Sequence, residues 1–200
     1  MRKIFFIAIT LLVMNVSSIN AQAVWGVRMG LSYFTETIDM SEIGMSYKGN
    51  VPGIELGPVL YYSLQNNLYL NSGIMVGVLI PESIEGLDRS EDLTCFFDMP
   101  LYLGVKIPVA NSNLSFYGQA GPFVGYSFST DSYTNEIINP FRAGLAAMAG
   151  INIKKFKFEF GYKAGLTNQS SNEGGYLGDT YMLKSTSKLS SLFLGISYVF

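Results

Sequence analysis

Phe156-Lys157-Phe158-Glu159-Phe160-Gly161-Tyr162-Lys163-Ala164-Gly165-Leu166 decides the fold. The even-numbered positions hold three Phe, Tyr, Ala and Leu, and the odd ones hold only Lys, Glu and Gly. A strict period of two marks a strand with two unlike faces, whereas a helix through the same residues would mix both sets around its circumference.

The pattern recurs outward in both directions. Trp25, Val27, Met29, Leu31 and Tyr33 oppose Gly26, Arg28, Gly30 and Ser32. Cys95, Phe97, Met99, Leu101, Leu103, Val105 and Ile107 oppose Phe96, Asp98, Pro100, Tyr102, Gly104 and Lys106. The final segment sets Leu192, Leu194, Ile196, Tyr198 and Phe200 against Phe193, Gly195, Ser197 and Val199. Eight such segments are read, at 24–34, 51–62, 68–79, 93–107, 114–128, 140–153, 156–166 and 189–200. Their connections alternate long (35–50, 80–92, 129–139, 167–188) and short (63–67, 108–113, 154–155), so loops gather at one end and turns at the other. Gln65-Asn66-Asn67 and Asn111-Ser112-Asn113 supply turn residues that tolerate left-handed backbone.

No charged residue falls on the apolar face; the other carries Arg28, Glu55, Asp98, Lys106, Arg142, Lys157, Glu159 and Lys163. Two architectures fit alternating faces, and each is the other turned inside out. A soluble barrel buries the apolar face, while a membrane barrel turns it to lipid and keeps polar groups inside. Glycine separates them. Of 15 glycines placed in strands, 14 share the charged face, Gly118 being the exception. A solvated face has no need to be small, but the interior of an eight-stranded barrel is only just wide enough for side chains. The charged face is therefore read as the lumen, and those eight charged residues as a structural network filling it. The fold class predicted is all-β, an eight-stranded antiparallel up-and-down transmembrane barrel. Aromatics near strand ends, among them Trp25, Tyr62, Phe128, Phe141 and Phe156, suit interfacial girdles. Pro58, Pro100 and Pro122 fall inside strands, where each removes a ladder donor; bulges or strand ends are expected there.

Composition agrees. The 200 residues are 48% hydrophobic with only 14% charged, and the mean hydropathy is +0.27, too apolar for an ordinary solvated surface. Yet the apolar run Ile4–Met14 has 11 residues, against roughly 20 for a membrane-spanning helix. With Arg2 and Lys3 before it and Ala21-Gln22-Ala23 after it, that run reads as a secretory signal peptide over 1–22, cleaved near Ala21 or Ala23, leaving a single barrel domain over 23–200. Loss of Arg2 and Lys3 leaves 11 basic against 15 acidic residues, with no basic cluster to engage nucleic acid. The single cysteine, Cys95, permits no internal disulfide.

Phe97-Asp98-Met99-Pro100-Leu101-Tyr102-Leu103, then Phe116-Tyr117-Gly118-Gln119-Ala120-Gly121-Pro122-Phe123-Val124-Gly125-Tyr126, resemble the central hairpin of the PorT-like outer membrane β-barrel family. Phe160-Gly161-Tyr162-Lys163-Ala164-Gly165-Leu166-Thr167-Asn168 resembles its penultimate strand. The resemblance implies a small barrel like the OmpA membrane domain or OmpX, located in the cell outer membrane with both termini in the periplasm. It supplies no catalytic motif. Leu192–Phe200, ending on Tyr198 and Phe200, also resembles the signal read by the outer-membrane assembly machinery.

Three function classes are weighed. No histidine occurs anywhere, so neither a nucleophile–His pair nor an imidazole metal site can form, and neither enzyme activity nor a cofactor is expected. Glu55, Asp98 and Glu159 could meet inside the barrel, but inward charges of both signs point to a buried network. A pore conflicts with a lumen holding Tyr61, Tyr69, Tyr102, Tyr117 and eight charged groups. The third class, a structural or interaction barrel, is the expectation. Its long connections, 35–50, the acidic 82–92 and the Ser-, Asn- and Gly-rich 167–188, would meet an envelope or secretion partner, with outer-membrane lipid around the wall. Gly174-Gly175-Tyr176-Leu177-Gly178 follows no buried strand and opens no helix, so it is no phosphate cradle. A soluble periplasmic lipocalin-like carrier of an apolar ligand is the competing reading; it requires an apolar interior.

Overall fold

The computed structural model describes residues 23–40, 43–64, 67–80, 94–129, 139–172, 175–177, 180–182 and 185–200. The expected signal segment 1–22 and the acidic connection 82–92 lie outside the described residues.

The strands are β1 (Ala23–Met40), β2 (Met45–Ser63), β3 (Leu68–Gly73), β4 (Met75–Leu79), β5 (Thr94–Pro108), β6 (Leu114–Ser129), β7 (Phe141–Ile153), β8 (Phe156–Gly165), β9 (Asn168–Asn172), β10 (Gly175–Leu177), β11 (Thr180–Met182) and β12 (Ser185–Val199). β3 and β4 follow one another along a single stave, as do β8 and β9, both of which pair with β12; β10 and β11 make a separate small hairpin. Every pairing is antiparallel and every stave pairs with its sequence neighbours. The ring closes where β1 meets β12, from Gly26↔Val199 to Met40↔Ser185. The result is a closed eight-stave barrel. Closure is what hydrocarbon demands, since an open edge would leave backbone N–H and C=O groups unpaired in lipid.

The apolar face points outward. Trp25, Leu31, Leu103, Phe160 and Leu194 are each more than half exposed, whereas Arg28, Glu55, Asp98 and Glu159 are buried. The glycines explain how large groups fit inside. A Cβ on Gly30 or Gly195 would strike the Phe193 ring, one on Gly77 the Phe96 ring, one on Gly104 the Tyr69 ring and one on Gly150 the Tyr117 ring. Each of these four rings thus lies over a glycine of a neighbouring position. Outward-facing Gly118 has only one atom as near as 3.9 Å to such a Cβ.

At the short-turn end, Asn67 and Asn111 adopt φ of 67° and 56°, as their side chains permit, and Lys154 adopts 55° in the two-residue turn between β7 and β8. Two sequence expectations need correction. Residues 35–50 are not chiefly a loop: β1 and β2 stay paired up to Met40↔Met45. Residues 167–188 likewise contain β9, β10, β11 and the start of β12. Above the lipid both faces of a strand are wet, so the alternation that reveals a strand is lost although pairing continues.

Of the bulges or strand ends expected at the prolines, strand ends occur, and they fall on the neighbouring stave. The registers put Pro58 opposite Ile74 and Pro100 opposite Gly73, and it is there that the third stave breaks into β3 and β4. Two prolines flanking one point withdraw donors from both sides. The gap is bridged by Ile74 N–H donating to the Pro58 carbonyl (3.1 Å) and Ser72 Oγ donating to that of Pro100 (3.0 Å). Between β5 and β6 the ladder lapses at Leu101 and Tyr102, opposite Gly121 and Pro122, and resumes at Leu103↔Ala120 in unchanged register.

Candidate functional site

The lumen carries the chemistry, in tiers along the barrel axis. Inward positions of β2, β5, β7 and β8 bring together Glu55, Asp98, Arg142 and Lys163, all buried. Lys163 Nζ lies 2.7 Å from Glu55 Oε2 and 3.5 Å from Asp98 Oδ2, and Arg142 Nη1 lies 3.7 Å from Asp98 Oδ1. Gly125 sits in register between Asp98 and Arg142, where a Cβ would collide with the Asp98 carboxylate. On the loop side, the Arg142 guanidinium covers the Phe96 and Phe34 rings at 4.8 and 5.5 Å. Those rings meet edge to face at 5.3 Å.

A second tier centres on Glu159 of β8. The Arg28 guanidinium is ion-paired to it, and both side chains are almost wholly buried. Tyr117 Oη donates to Glu159 Oε2 at 2.9 Å. Gln119 Nε2 donates to the same oxygen at 3.4 Å, while its Oε1 accepts from Asn71 Nδ2 (2.9 Å) and Tyr69 Oη (3.2 Å). A buried carboxylate is tolerable only when it is ion-paired and hydrogen-bonded in this way.

The third tier lies at the short-turn mouth. Lys157 Nζ stands 3.5, 4.4 and 4.9 Å from the ring centroids of Tyr61, Tyr117 and Tyr69. Lys106, by contrast, is exposed. It belongs to the mouth rather than to the buried tiers, because β5 there approaches its terminal turn. Tyr198 and Phe200 lie on the outer wall beside Phe156, with ring centroids 5.6 Å apart for Tyr198–Phe200 and 5.2 Å for Phe156–Tyr198.

Sequence reasoning missed the Gln119 hub and the three-tyrosine enclosure of Lys157. Both become visible when inward residues are ordered by distance from the short turns, for Tyr61, Tyr69 and Tyr117 then share one level. Among the described residues, no cluster of three or more His, Cys, Asp or Glu is placed to hold a metal. An interior of ion pairs and hydroxyls also lacks the apolar chamber that a lipocalin-like carrier requires.

A family model described as outer membrane protein β-barrel domain matches residues 20–171. The chain belongs to the outer membrane protein β-barrel domain family. Its place is therefore the cell outer membrane, in keeping with a wall apolar outside and charged within. Among solved structures similar to this family member are Neisserial surface protein A (14% identity, covering 90% of this chain and 99% of that one, TM-score 0.47) and Ail, the attachment invasion locus protein of Yersinia pestis (15% identity, 88% and 98%, TM-score 0.41). OprG of Pseudomonas aeruginosa is a third (12% identity, 89% and 96%, TM-score 0.40). A search of curated proteins finds no match.

Proposed function

We propose that this outer membrane barrel is non-catalytic and acts as an interaction scaffold, its contacts made by strand pairs that rise beyond the lipid. The observation that carries the reading is the length of the first hairpin. β1 and β2 span 18 and 19 residues, whereas crossing the bilayer takes roughly 9–11. Because short turns face the periplasm in such barrels, the excess stands outside the cell. Its tip exposes Ile43, Met45 and Tyr47, the last two at 65% and 63%, an apolar group that no longer has lipid to cover it.

The plugged lumen supports the same view. Each described inward carboxylate is engaged by a basic group, and the whole sequence has no imidazole to activate a nucleophile or bind a metal. The PorT-like resemblance of the central hairpin makes an envelope or secretion protein the partner class, and Leu192–Phe200 is the segment that the assembly machinery would read.

A photoreactive residue at Tyr47 should crosslink on intact cells to a macromolecule that the same probe at Lys154 does not reach, and the purified barrel should give no stable large conductance in planar bilayers. Steady channel openings, with no adduct at Tyr47, would replace the scaffold reading by a pore.

A further inference from the structure

The lumen's ion pairs leave an imbalance at one end. Arg28, Arg142 and Lys163 are matched by Glu159, Asp98 and Glu55. Among the described residues, Lys157 and Lys106 are in no ion pair. Both line one cavity of about 380 Å³ at the short-turn mouth, joined by Lys154 from the β7–β8 turn and by Asn67, Asn152 and Tyr69.

Lys157 is the unusual member. It is only 8% exposed; Glu159 attracts it but is already ion-paired to Arg28, and burying an ammonium with no counter-charge of its own costs several kcal/mol by general estimate. The three tyrosine rings around it offset part of that cost through their quadrupoles, but they carry no net negative charge. In the same wall, Asn152 Nδ2 donates to Ser115 Oγ at 3.0 Å, while Asn152 Oδ1 is buried with no hydrogen-bond partner. The cavity is thus lined by three lysines, with an unused acceptor buried in its wall.

We propose that the periplasmic mouth binds a compact oxyanion of the phosphate class, with Lys157 contacting it from within and Lys106 and Lys154 from the rim. A single carboxylate would leave most of the positive charge unanswered. A monohydrogen phosphate group carries about two charges at neutral pH and presents several oxygens to ammonium groups at once. The group could belong to a free phosphate or to the phosphomonoester headgroup of phosphatidic acid, which shares that chemistry; a phosphodiester headgroup carries a single charge and does not. This site lies at the opposite end of the barrel from the Tyr47 hairpin and does not depend on its role.

The test uses the full chain, expressed with its own leader, purified folded from outer membranes in a phosphate-free detergent, and titrated with inorganic phosphate. Backbone amide resonances of Asn67, Lys106, Asn152, Lys154 and Lys157 should shift saturably, and sodium chloride at equal ionic strength should not reproduce the shift. Lys157→Met, which keeps an apolar stem against the tyrosines, and Lys106→Gln, at an exposed position, should each weaken phosphate binding by about tenfold. Should Lys157→Met fail to fold, Lys106→Gln and Lys154→Gln decide. An equal response to chloride, or unchanged phosphate affinity in the folded variants, overturns the proposal. Shifts produced by phosphatidic acid nanodiscs without added phosphate would assign the headgroup as the source; shifts only after phosphate is added would assign the free anion.

Discussion

Glu159→Ala is expected to destabilise the folded barrel by about 3–5 kcal/mol, because it strands a buried guanidinium rather than merely deleting a contact. Arg28 is 1% exposed and Glu159 is its ion-pair partner. Removing the carboxylate also leaves one donor of Gln119 unpaired and the Tyr117 hydroxyl with only the longer bond, at 3.4 Å, to the Phe158 carbonyl. The Phe193 ring lies 6.0 Å from the Arg28 guanidinium, in room that Gly30 and Gly195 leave for it. Urea unfolding in lipid vesicles, followed by gel mobility and tryptophan emission, reads the effect. The double variant Arg28→Met/Glu159→Leu should recover much of the loss, as buried pairs replaced together by apolar groups often do. A loss below about 1 kcal/mol for Glu159→Ala would instead match a solvated pair, and would contradict a packed lumen.

The second large effect is on the opposite face. Leu194 sits near the middle of β12, in register with Leu31 and Phe160, and is 59% exposed. In water, Leu194→Arg would be nearly neutral, within about 0.5 kcal/mol as for most surface changes. In the bilayer midplane it should cost about 2–4 kcal/mol. Tyr47→Arg, at an equally exposed position on the first hairpin beyond the lipid, serves as the internal control and should leave folding unchanged. Equal tolerance of both substitutions in folding yields would show that the apolar face meets water.

Much of this was legible before any coordinates. Alternation located all eight staves, because lipid on one side and a crowded lumen on the other constrain every second residue differently. The glycine bias separated inside from outside correctly, and the reason is concrete: Gly104 and Gly150 make room for Tyr69 and Tyr117. What failed was the reach of strands beyond the membrane. Thr35-Glu36-Thr37 and Lys48-Gly49-Asn50 show no apolar stripe, yet they pair residue by residue. Backbone hydrogen bonding needs no amphipathic pattern; only burial leaves one. The tiers were equally hidden, since which charges meet depends on stagger between staves. Lys163 reaches Glu55 across 108 residues of chain, and nothing local in either segment announces it. Nor does local sequence distinguish Lys106, exposed at the mouth, from Lys157, enclosed by rings one level deeper. For the prolines, the sequence predicts interrupted pairing but does not tell which stave gives way. Pro58 and Pro100 act jointly on Ile74 and Gly73, which is a cross-stave effect.

The central claim is that the alternating wall faces hydrocarbon, and the chain's lone tryptophan tests it directly. Trp25 is 59% exposed on the outer face of β1, beside the short-turn rim, where the Phe200 N–H donates to its carbonyl at 2.9 Å. In vesicles, Trp25 emission should be quenched strongly by lipids brominated high on the acyl chain and barely by aqueous iodide. Full quenching by iodide with no response to brominated lipid would place that face in water and contradict the claim.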